Sequence, residues 1–188
     1  MLGAGGGVGL ATVQLGALFG ASVTAVASSQ EKLDVAASHG AGTLINHRSG
    51  DLRQALRDTH PEGVDVVVDP VGGDLSEPAL RALRWGGRFV TVGYASGMIP
   101  RIPLNLVLLK GINVVGFEFL SFAARMPGEF RRNEQELLEL LATGRVTPYV
   151  GATFPLDEVV AAMRFVADGR AIGKVVLEVR QGDELIAP

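Results

Sequence analysis

The chain has 188 residues, of which 47% are hydrophobic and 20% charged, a balance typical of a folded globular domain and not of a disordered chain. Its 17 basic and 20 acidic residues give a net charge of −3 without a basic run, which argues against nucleic-acid binding, and no apolar stretch is long enough to cross a membrane. The lack of cysteine excludes disulfides and thiolate metal sites, and no signal-peptide pattern opens the chain, so we expect a cytoplasmic protein.

The chain opens on a glycine-rich turn over residues 3–9, and a helical pattern over residues 10–19 follows at once. The spacing Ala4-x-Gly6-x-x-Gly9 matches the dinucleotide fingerprint with alanine in its first position. There, glycines allow a tight turn, close approach of the backbone to a pyrophosphate, and close packing of helix on strand. By itself the match is weak, because a flexible glycine turn has the same composition. The candidate pyrophosphate-binding residues are Gly5, Gly6, Gly7, Val8 and Gly9.

Short β-branched runs then alternate with helical patterns. They predict strands at residues 22–27, 43–46, 64–69 and 87–92, separated by helices at about residues 30–39, 51–59 and 75–83. The run at residues 64–69 is almost wholly apolar, as expected of a strand in a parallel sheet that is covered on both faces. The repetition predicts an α/β fold, a Rossmann-type doubly wound parallel sheet.

The second half of the chain is less regular. We expect helices at residues 104–110, 127–143 and 156–166. A further strand is expected at residues 113–119, extended or irregular chain at residues 148–154, and a last strand at residues 174–179. Residues 1–180 then make one dinucleotide-binding domain, and residues 181–188 are a loose C-terminal tail.

Several motifs along the chain belong together with the glycine turn. They are Ala27-Ser28-Ser29 with Glu31-Lys32-Leu33, Gly40-Ala41, Ile45-Asn46-His47-Arg48, Asp65-Val66-Val67-Val68-Asp69 before Val71-Gly72-Gly73, Gly86-Gly87-Arg88, Phe154-Pro155-Leu156 and Gly173-Lys174-Val175-Val176. In this order they resemble the cofactor-binding half of the medium-chain dehydrogenase/reductase superfamily, and most of all its zinc-free quinone oxidoreductase branch. The resemblance extends over essentially the whole chain.

The sequence departs from that pattern at its N-terminus. The resemblance implies a preceding catalytic domain that supplies much of the substrate pocket, and none of it is present in this sequence. The first strand of the sheet is reduced to Met1-Leu2, and a truncated central strand leaves ladder groups of its neighbours unpaired. We therefore expect a fragment or a truncated reading frame that binds cofactor at best and does not turn over alone.

The end of the second strand bears on the choice of cofactor. An NAD enzyme usually places a carboxylate there for the ribose 2′-hydroxyl, whereas this chain has hydroxyls and its first acid, Glu31, lies already in the helix. Hydroxyls and a nearby cation suit a 2′-phosphate, which favours NADP. The resemblance implies contacts to that phosphate from Ser28, Ser29, Lys32, His47 and Arg170. Four of them have a structural alternative: a helix cap for Ser28, a solvated helix position for Lys32, a loop position for His47 and a surface charge for Arg170.

The nicotinamide is expected beyond the carboxyl ends of the strands. Candidates by position are Gly93, Tyr94, Gly116 and Phe117, with Tyr94 either a proton donor or, more simply, a packed aromatic residue. Asp69 precedes Pro70 and is expected to serve the turn. The three histidines lack ligand spacing and no Gly-x-Ser-x-Gly occurs, so we expect no metal site and no serine nucleophile, and we assign no catalytic residue.

These observations favour one function and leave two others open. The resemblance implies part of an NADPH-dependent quinone or enone oxidoreductase that transfers hydride to a conjugated carbonyl, so that the partner is a small carbonyl or quinone compound. The alternatives are a non-catalytic NADP-binding sensor or structural protein, and a fragment of a zinc alcohol dehydrogenase. The resemblance also implies a homodimer formed through the strand near residues 113–119, whose alternative is an edge strand covered by a loop.

Overall fold

A computed structural model of the chain describes residues 1–179. The helices in this range are α1 (Gly7–Leu18), α2 (Gln30–Ser38), α3 (Leu52–Thr59), α4 (Ser76–Arg81), α5 (Leu104–Lys110), α6 (Phe119–Arg125), α7 (Pro127–Ala142) and α8 (Val159–Ala167). The strands are β1 (Val23–Ala27), β2 (Ala41–Asn46), β3 (Val64–Asp69), β4 (Leu83–Thr91), β5 (Asn113–Gly116), β6 (Val150–Pro155) and β7 (Lys174–Glu178). Among residues 1–179 there is no helix with the length and apolar character needed to span a membrane.

The main sheet is built from two parallel blocks with a short segment between them. β1 pairs with β2, and β3, β4 and β5 pair in that order. Residues 1–4, which we call the N-terminal stub, lie between β1 and β3: Leu2 bridges to Val26, and its N–H donates to the carbonyl of Val68 at 3.1 Å. The order is therefore β2-β1-stub-β3-β4-β5, which confirms the truncated Rossmann-type sheet. The stub pairs with both neighbours, so fewer ladder groups are left open than the sequence predicts.

Two clusters of buried side chains cover the two faces of this sheet. One contains Leu10 and Val13 of α1 with Leu33 and Ala36 of α2. The other gathers α3, α4 and α5 around Phe89. Because side chains alternate across a strand, Val26 joins one cluster while its neighbours Ala25 and Ala27 join the other. Helices on both faces of a parallel sheet are the doubly wound arrangement that the apolar strands predict.

A second, smaller sheet is attached to the glycine turn. β6 and β7 pair in parallel, and the N–H of Gly173, just before β7, donates to the carbonyl of Gly5 at 2.8 Å. The segment expected to be extended or irregular at residues 148–154 is thus a strand from Val150 onward. Its position brings the end of the described chain back to the start of α1.

Two boundaries differ from the prediction in ways that affect the site. α1 begins at Gly7, inside the glycine turn and not after it. The predicted strand at residues 113–119 is wrong beyond Gly116, because the carboxylate of Glu118 accepts from the N–H groups of Leu120 and Ser121 and starts α6. The expected loose tail at residues 181–188 lies outside the described residues.

Candidate functional site

The glycine turn directly joins the stub to α1, and its packing leaves no room for side chains at two positions. A Cβ on Gly9 would lie 2.1 Å from the carbonyl oxygen of Gly3 and 2.7 Å from Cα of Ala4. A Cβ on Gly5 would lie 2.6 Å from Cβ of Lys32. The turn therefore depends on glycine for close packing of α1 and of α2, one of the reasons given by the fingerprint.

The N-terminus of α1 is left free for an anion. Gly6, its N-cap residue, is extended and provides no side-chain cap, and the first turn carries no acidic residue. The first amide groups of a helix have no acceptor within the helix, and the helix dipole adds partial positive charge there. Val8, in this first turn, is 53% exposed. The amides of this turn can therefore bind a pyrophosphate.

A cleft of about 940 Å³ opens at this turn and collects most of the predicted site residues. Its walls come from the glycine turn, the ends of β1 and β2, the loops after β3 and β4, and the start of α6. Of the predicted site residues it contains Gly5, Gly6, Gly7, Val8, Gly9, Ser28, Lys32, His47, Gly93, Tyr94 and Phe117. The cleft lies beyond the carboxyl ends of the strands, where doubly wound sheets bind their ligands.

One end of the cleft is cationic. The Lys32 ammonium donates to the carbonyl of Gly169 at 2.6 Å and lies 3.5 Å from Oγ of Ser28. Burial, and then the Arg48 guanidinium, lower the pKa of Lys32 below its usual range, although Glu31 acts in the opposite direction. Burial and Arg48 also lower the pKa of His47. Mutually repelling basic groups at one place are relieved by a bound anion.

Two basic residues of this region were not predicted as site residues. Arg48 follows His47 after β2 and is recognisable as part of the site only once its effect on both neighbours is seen. Lys174 is more remote in sequence: a Cβ on Gly7 would lie 3.0 Å from its Cδ and Cε and 3.1 Å from its Nζ. In the sequence, the role of Lys174 is indicated only by its place after Gly173, at the start of the last predicted strand.

The other end of the cleft is apolar. Tyr94 is 43% exposed, and its ring packs so near Gly72 that a Cβ there would lie 2.9 Å from its Cδ1. Tyr94 and Phe117 also line an adjoining pocket of about 570 Å³, which contains the predicted Gly116 together with Phe122 and Met126. Such a surface suits the flat, largely apolar ring of a nicotinamide or a quinone.

Asp69, the last residue of β3, fixes the turn that follows this strand. Its fully buried carboxylate accepts from the N–H groups of Val71 at 2.8 Å and Gly72 at 2.9 Å, and from the hydroxyl of Ser76 at 2.6 Å. The structural role expected of Asp69 is confirmed. The loop after β3 owes its fixed shape at the wall of the cleft to this carboxylate.

Two predicted residues have other contacts. Ser29 caps α2, its Oγ accepting from the N–H of Lys32 at 3.4 Å. Arg170 places its guanidinium over the ring of Phe165, 4.7 Å from the centroid, while its neighbours Gly169 and Ala171 line the cleft. Their contribution to a phosphate site stays a prediction.

The family of the chain follows from comparison with known proteins. The sequence pattern of the zinc-binding dehydrogenases matches residues 7–143. The chain belongs to this family. Within it, the chain is of the zinc-free quinone oxidoreductase type of the medium-chain dehydrogenase/reductase superfamily.

Three known proteins illustrate the similarity. Quinone oxidoreductase-like protein 2 of Bos taurus is 36% identical over 179 residues, which are 94% of this chain and 51% of that protein. Escherichia coli quinone oxidoreductase complexed with NADPH superimposes with a TM-score of 0.83 at 28% identity, covering 94% of this chain and 55% of that one. An NAD-dependent alcohol dehydrogenase superimposes with a TM-score of 0.81 at 31% identity, covering 95% and 50%. The chain thus spans about half the length of each of these three proteins.

The name of the family raises the question of zinc. Structural and catalytic zinc sites need three or four ligands from Cys, His, Asp or Glu. Residues 1–179 contain no cluster of three such side chains, and the chain has no cysteine. One ring nitrogen of each of two histidines is engaged elsewhere: Nδ1 of His39 with the carbonyl of Val35, and Nε2 of His60 with Oγ1 of Thr24. The described residues do not fit a zinc site.

Proposed function

We propose that residues 1–180 form the dinucleotide-binding domain of an NADPH-dependent oxidoreductase that reduces quinones or other conjugated carbonyl compounds. The observation that carries this proposal is the cleft, in which an uncapped helix N-terminus and a cationic cluster face the same space. The pyrophosphate and the 2′-phosphate of NADPH would each meet one of these two features.

The residues of this chain have separate tasks in the proposal. NADPH, when bound, supplies the hydride. The first amides of α1 bind the pyrophosphate, and Lys32, His47 and Arg48 bind the 2′-phosphate. Tyr94 and Phe117 orient the nicotinamide against the apolar wall and keep water from it. The glycine at position 5 lets the Lys32 stem reach the turn, so that both phosphate sites are held by one packed unit.

The cationic cluster yields a direct test by isothermal titration calorimetry with NADPH and NADH. We expect the 188-residue protein to bind NADPH more tightly, because only NADPH places a 2′-phosphate beside Lys32. The variant Lys32→Gln retains methylene groups that pack under Gly5 but lacks the charge. It should lose about tenfold in NADPH affinity, equivalent to ~1.4 kcal/mol, with little change for NADH.

Lys110→Gln in the last turn of α5 is the matched control, since its charge lies outside the cleft. It should leave both affinities unchanged. Tighter binding of NADH by the unmodified protein, or an equal loss of both cofactors in Lys32→Gln, would remove the argument for NADPH.

We further propose that two copies associate through the exposed edge of β5. Every residue of β5 is exposed, and within residues 1–179 only β4 pairs with this strand, on one of its two sides. An unpaired apolar edge favours strand addition, and a twofold axis would let each β5 pair with its copy.

A further inference from the structure

A second pocket of about 570 Å³ adjoins the cofactor cleft at the carboxyl ends of β4 and β5. We call it the side pocket. Its volume lies within the range of about 300–1,000 Å³ that is typical of small-molecule sites. The cleft and the side pocket share the lining residues Val92, Gly93, Tyr94 and Phe117. A compound in the side pocket therefore lies next to the ring that Tyr94 and Phe117 orient in the proposed function.

One wall of the side pocket is apolar and aromatic. The ring centroids of Phe117 and Phe122 are 5.4 Å apart, and the two rings are inclined at 46°. Met126 also lines the side pocket and is 50% exposed. Aromatic rings and a thioether pack well against a flat π-system. This wall suits the ring of a quinone or of another conjugated carbonyl compound.

α6 adds two charged side chains to the side pocket, one at each end of the helix. Glu118 is its N-cap residue and Arg125 its last residue. At 1.5 Å per residue, the two positions are roughly 10 Å apart along the helix axis. The Glu118 carboxylate is engaged by the helix itself, because it accepts from the N–H groups of Leu120 at 2.9 Å and Ser121 at 2.7 Å. The cationic group of the side pocket is thus well separated from its anionic group.

Arg125 has a charge that a ligand can use. In the part of the chain that the structure describes, it takes part in none of the ion pairs. Its guanidinium offers a planar fork of donors that fits the two oxygens of a carboxylate. The structural alternative is a cation that stabilises the C-terminal end of α6 through the helix dipole. That role involves no ligand, so charged and uncharged ligands of the same shape distinguish the two.

We propose that the side pocket binds the substrate of the oxidoreductase, and that Arg125 selects conjugated carbonyl compounds that carry a carboxylate at the end away from the reactive carbonyl. The conjugated ring packs on Phe117, Phe122 and Met126, and the carboxylate pairs with the guanidinium. Arg125 is then a specificity-determining residue. This assignment rests on the proposed function, which supplies the reaction, whereas the side pocket supplies the selectivity.

Two matched probes test the selectivity. One is a naphthoquinone with a butanoate side chain, and the other is the same compound as its butanamide. The chain has no cysteine that a quinone would modify. Isothermal titration calorimetry of the 188-residue protein should show that the carboxylate binds at least about tenfold more tightly than the amide. Equal affinities, or no binding of either probe, would overturn the proposal.

A second titration places the probes relative to the cofactor. NADP⁺ has the phosphates and the nicotinamide of NADPH but cannot reduce the quinone. Saturating NADP⁺ should not weaken the binding of either probe, because the side pocket lies beside the cofactor cleft and not within it. Competition would place the quinone in the cleft and overturn the proposal. Failure of NADP⁺ to bind, with the carboxylate preference retained, would contradict the proposed function while supporting selection by Arg125.

Substitutions of Arg125 identify the group that selects. Arg125→Gln should lower the affinity for the carboxylate to that for the amide, and leave the amide within about twofold. Arg125→Lys retains the charge and should keep a preference of at least about threefold. Arg131→Gln in α7 is the matched control, since its charge lies outside the side pocket, and it should change neither affinity. Circular dichroism confirms that the variants are folded. A preference that survives Arg125→Gln, or an equal loss for both probes, would overturn the proposal.

Discussion

Asp69 is the buried charge on which the loop after β3 depends. Its three hydrogen bonds include one from a hydroxyl and two from backbone amides, and asparagine would turn an NH₂ group toward at least one of these donors. We expect Asp69→Asn to lower the free energy of unfolding by ~2–3 kcal/mol, measured by urea denaturation. Asp65→Asn in the same strand is the control: its carboxylate is 68% exposed, and its ion pair with Arg84 should contribute less than about 1 kcal/mol. Equal losses would contradict this role.

His47 provides a proton-linked test of the proposed phosphate site. Burial and the neighbouring Arg48 and Lys32 lower its pKa in the free protein, so that the neutral form is favoured over that of an ordinary histidine. A bound 2′-phosphate offsets the effect of those cations and raises the pKa of His47, so this residue takes up protons on binding at mildly acidic pH. Calorimetry of NADPH binding in two buffers of different ionisation enthalpy measures this uptake. It should be larger in the unmodified protein than in His47→Gln, and equal uptake would place the phosphate elsewhere.

At the scale of elements, β5 is short and open on one side. The N–H of Phe117 donates to the carbonyl of Thr91 in β4. Alternate residues direct their backbone N–H groups to the same side, so those of residues 113 and 115 point toward β4 and that of Val114 points away from it. Val114→Pro therefore removes an outward donor while the ladder to β4 is retained. We expect light scattering at micromolar concentration to show a dimer for the unmodified chain and a monomer for Val114→Pro. A monomer in both cases would remove the proposed edge pairing.

The elements with strong periodicity are those that the sequence predicts well. The apolar run of β3 and the β-branched run of β1 lie where expected, because burial on both faces imposes composition on parallel strands. α6 was missed, because Phe117-Glu118-Phe119 alternates like a strand and its cap is a glutamate, which sequence rules do not favour. The sequence also does not predict that the stub pairs with both β1 and β3, since Met1-Leu2 is too short to show periodicity.

The sequence predicts those residues of the candidate site whose type is required by a single physical constraint. Gly9 is required by contact with the backbone of Gly3 and Ala4, and the fingerprint contains this requirement. Arg48 and Lys174 approach the site through packing between distant segments, and no local pattern distinguishes them from solvated surface cations. Arg170 is the opposite case. Its sequence neighbours line the cleft, but its own guanidinium stacks on the ring of Phe165.

Over the whole molecule, the accessible surface is large for the mass. A globular monomer of 19.7 kDa exposes about 8,600 Å², whereas this chain exposes 11,994 Å². The excess includes large apolar side chains on α5 and α8, among them Leu104, Leu108 and Met163. Surfaces of this kind commonly mark contacts with other domains or chains.

The α-amino group of Met1 links the stability of the whole fold to pH. Burial in the sheet lowers its pKa from 8.0 to about 6, with Asp69 acting in the opposite direction. The unfolded chain therefore binds the proton more tightly, and stability rises between pH 6 and pH 8, by at most ~2.7 kcal/mol. Urea denaturation of the 188-residue protein at both pH values measures the rise. The N-acetylated chain is the control, because it shares the histidines and lacks the charge, and an equal rise in both would contradict the assignment.

The contacts of Leu2 also constrain how the chain folds. Its partners Val26 and Val68 lie 24 and 66 residues further along the chain, so the stub closes two long loops when it docks. During synthesis the stub thus has no place between the strands until β3 has been made. The glycine turn, continuous with Leu2, acquires its final shape only at that moment. The dinucleotide site is accordingly completed only after β3, although the glycine turn precedes β3 by about 60 residues.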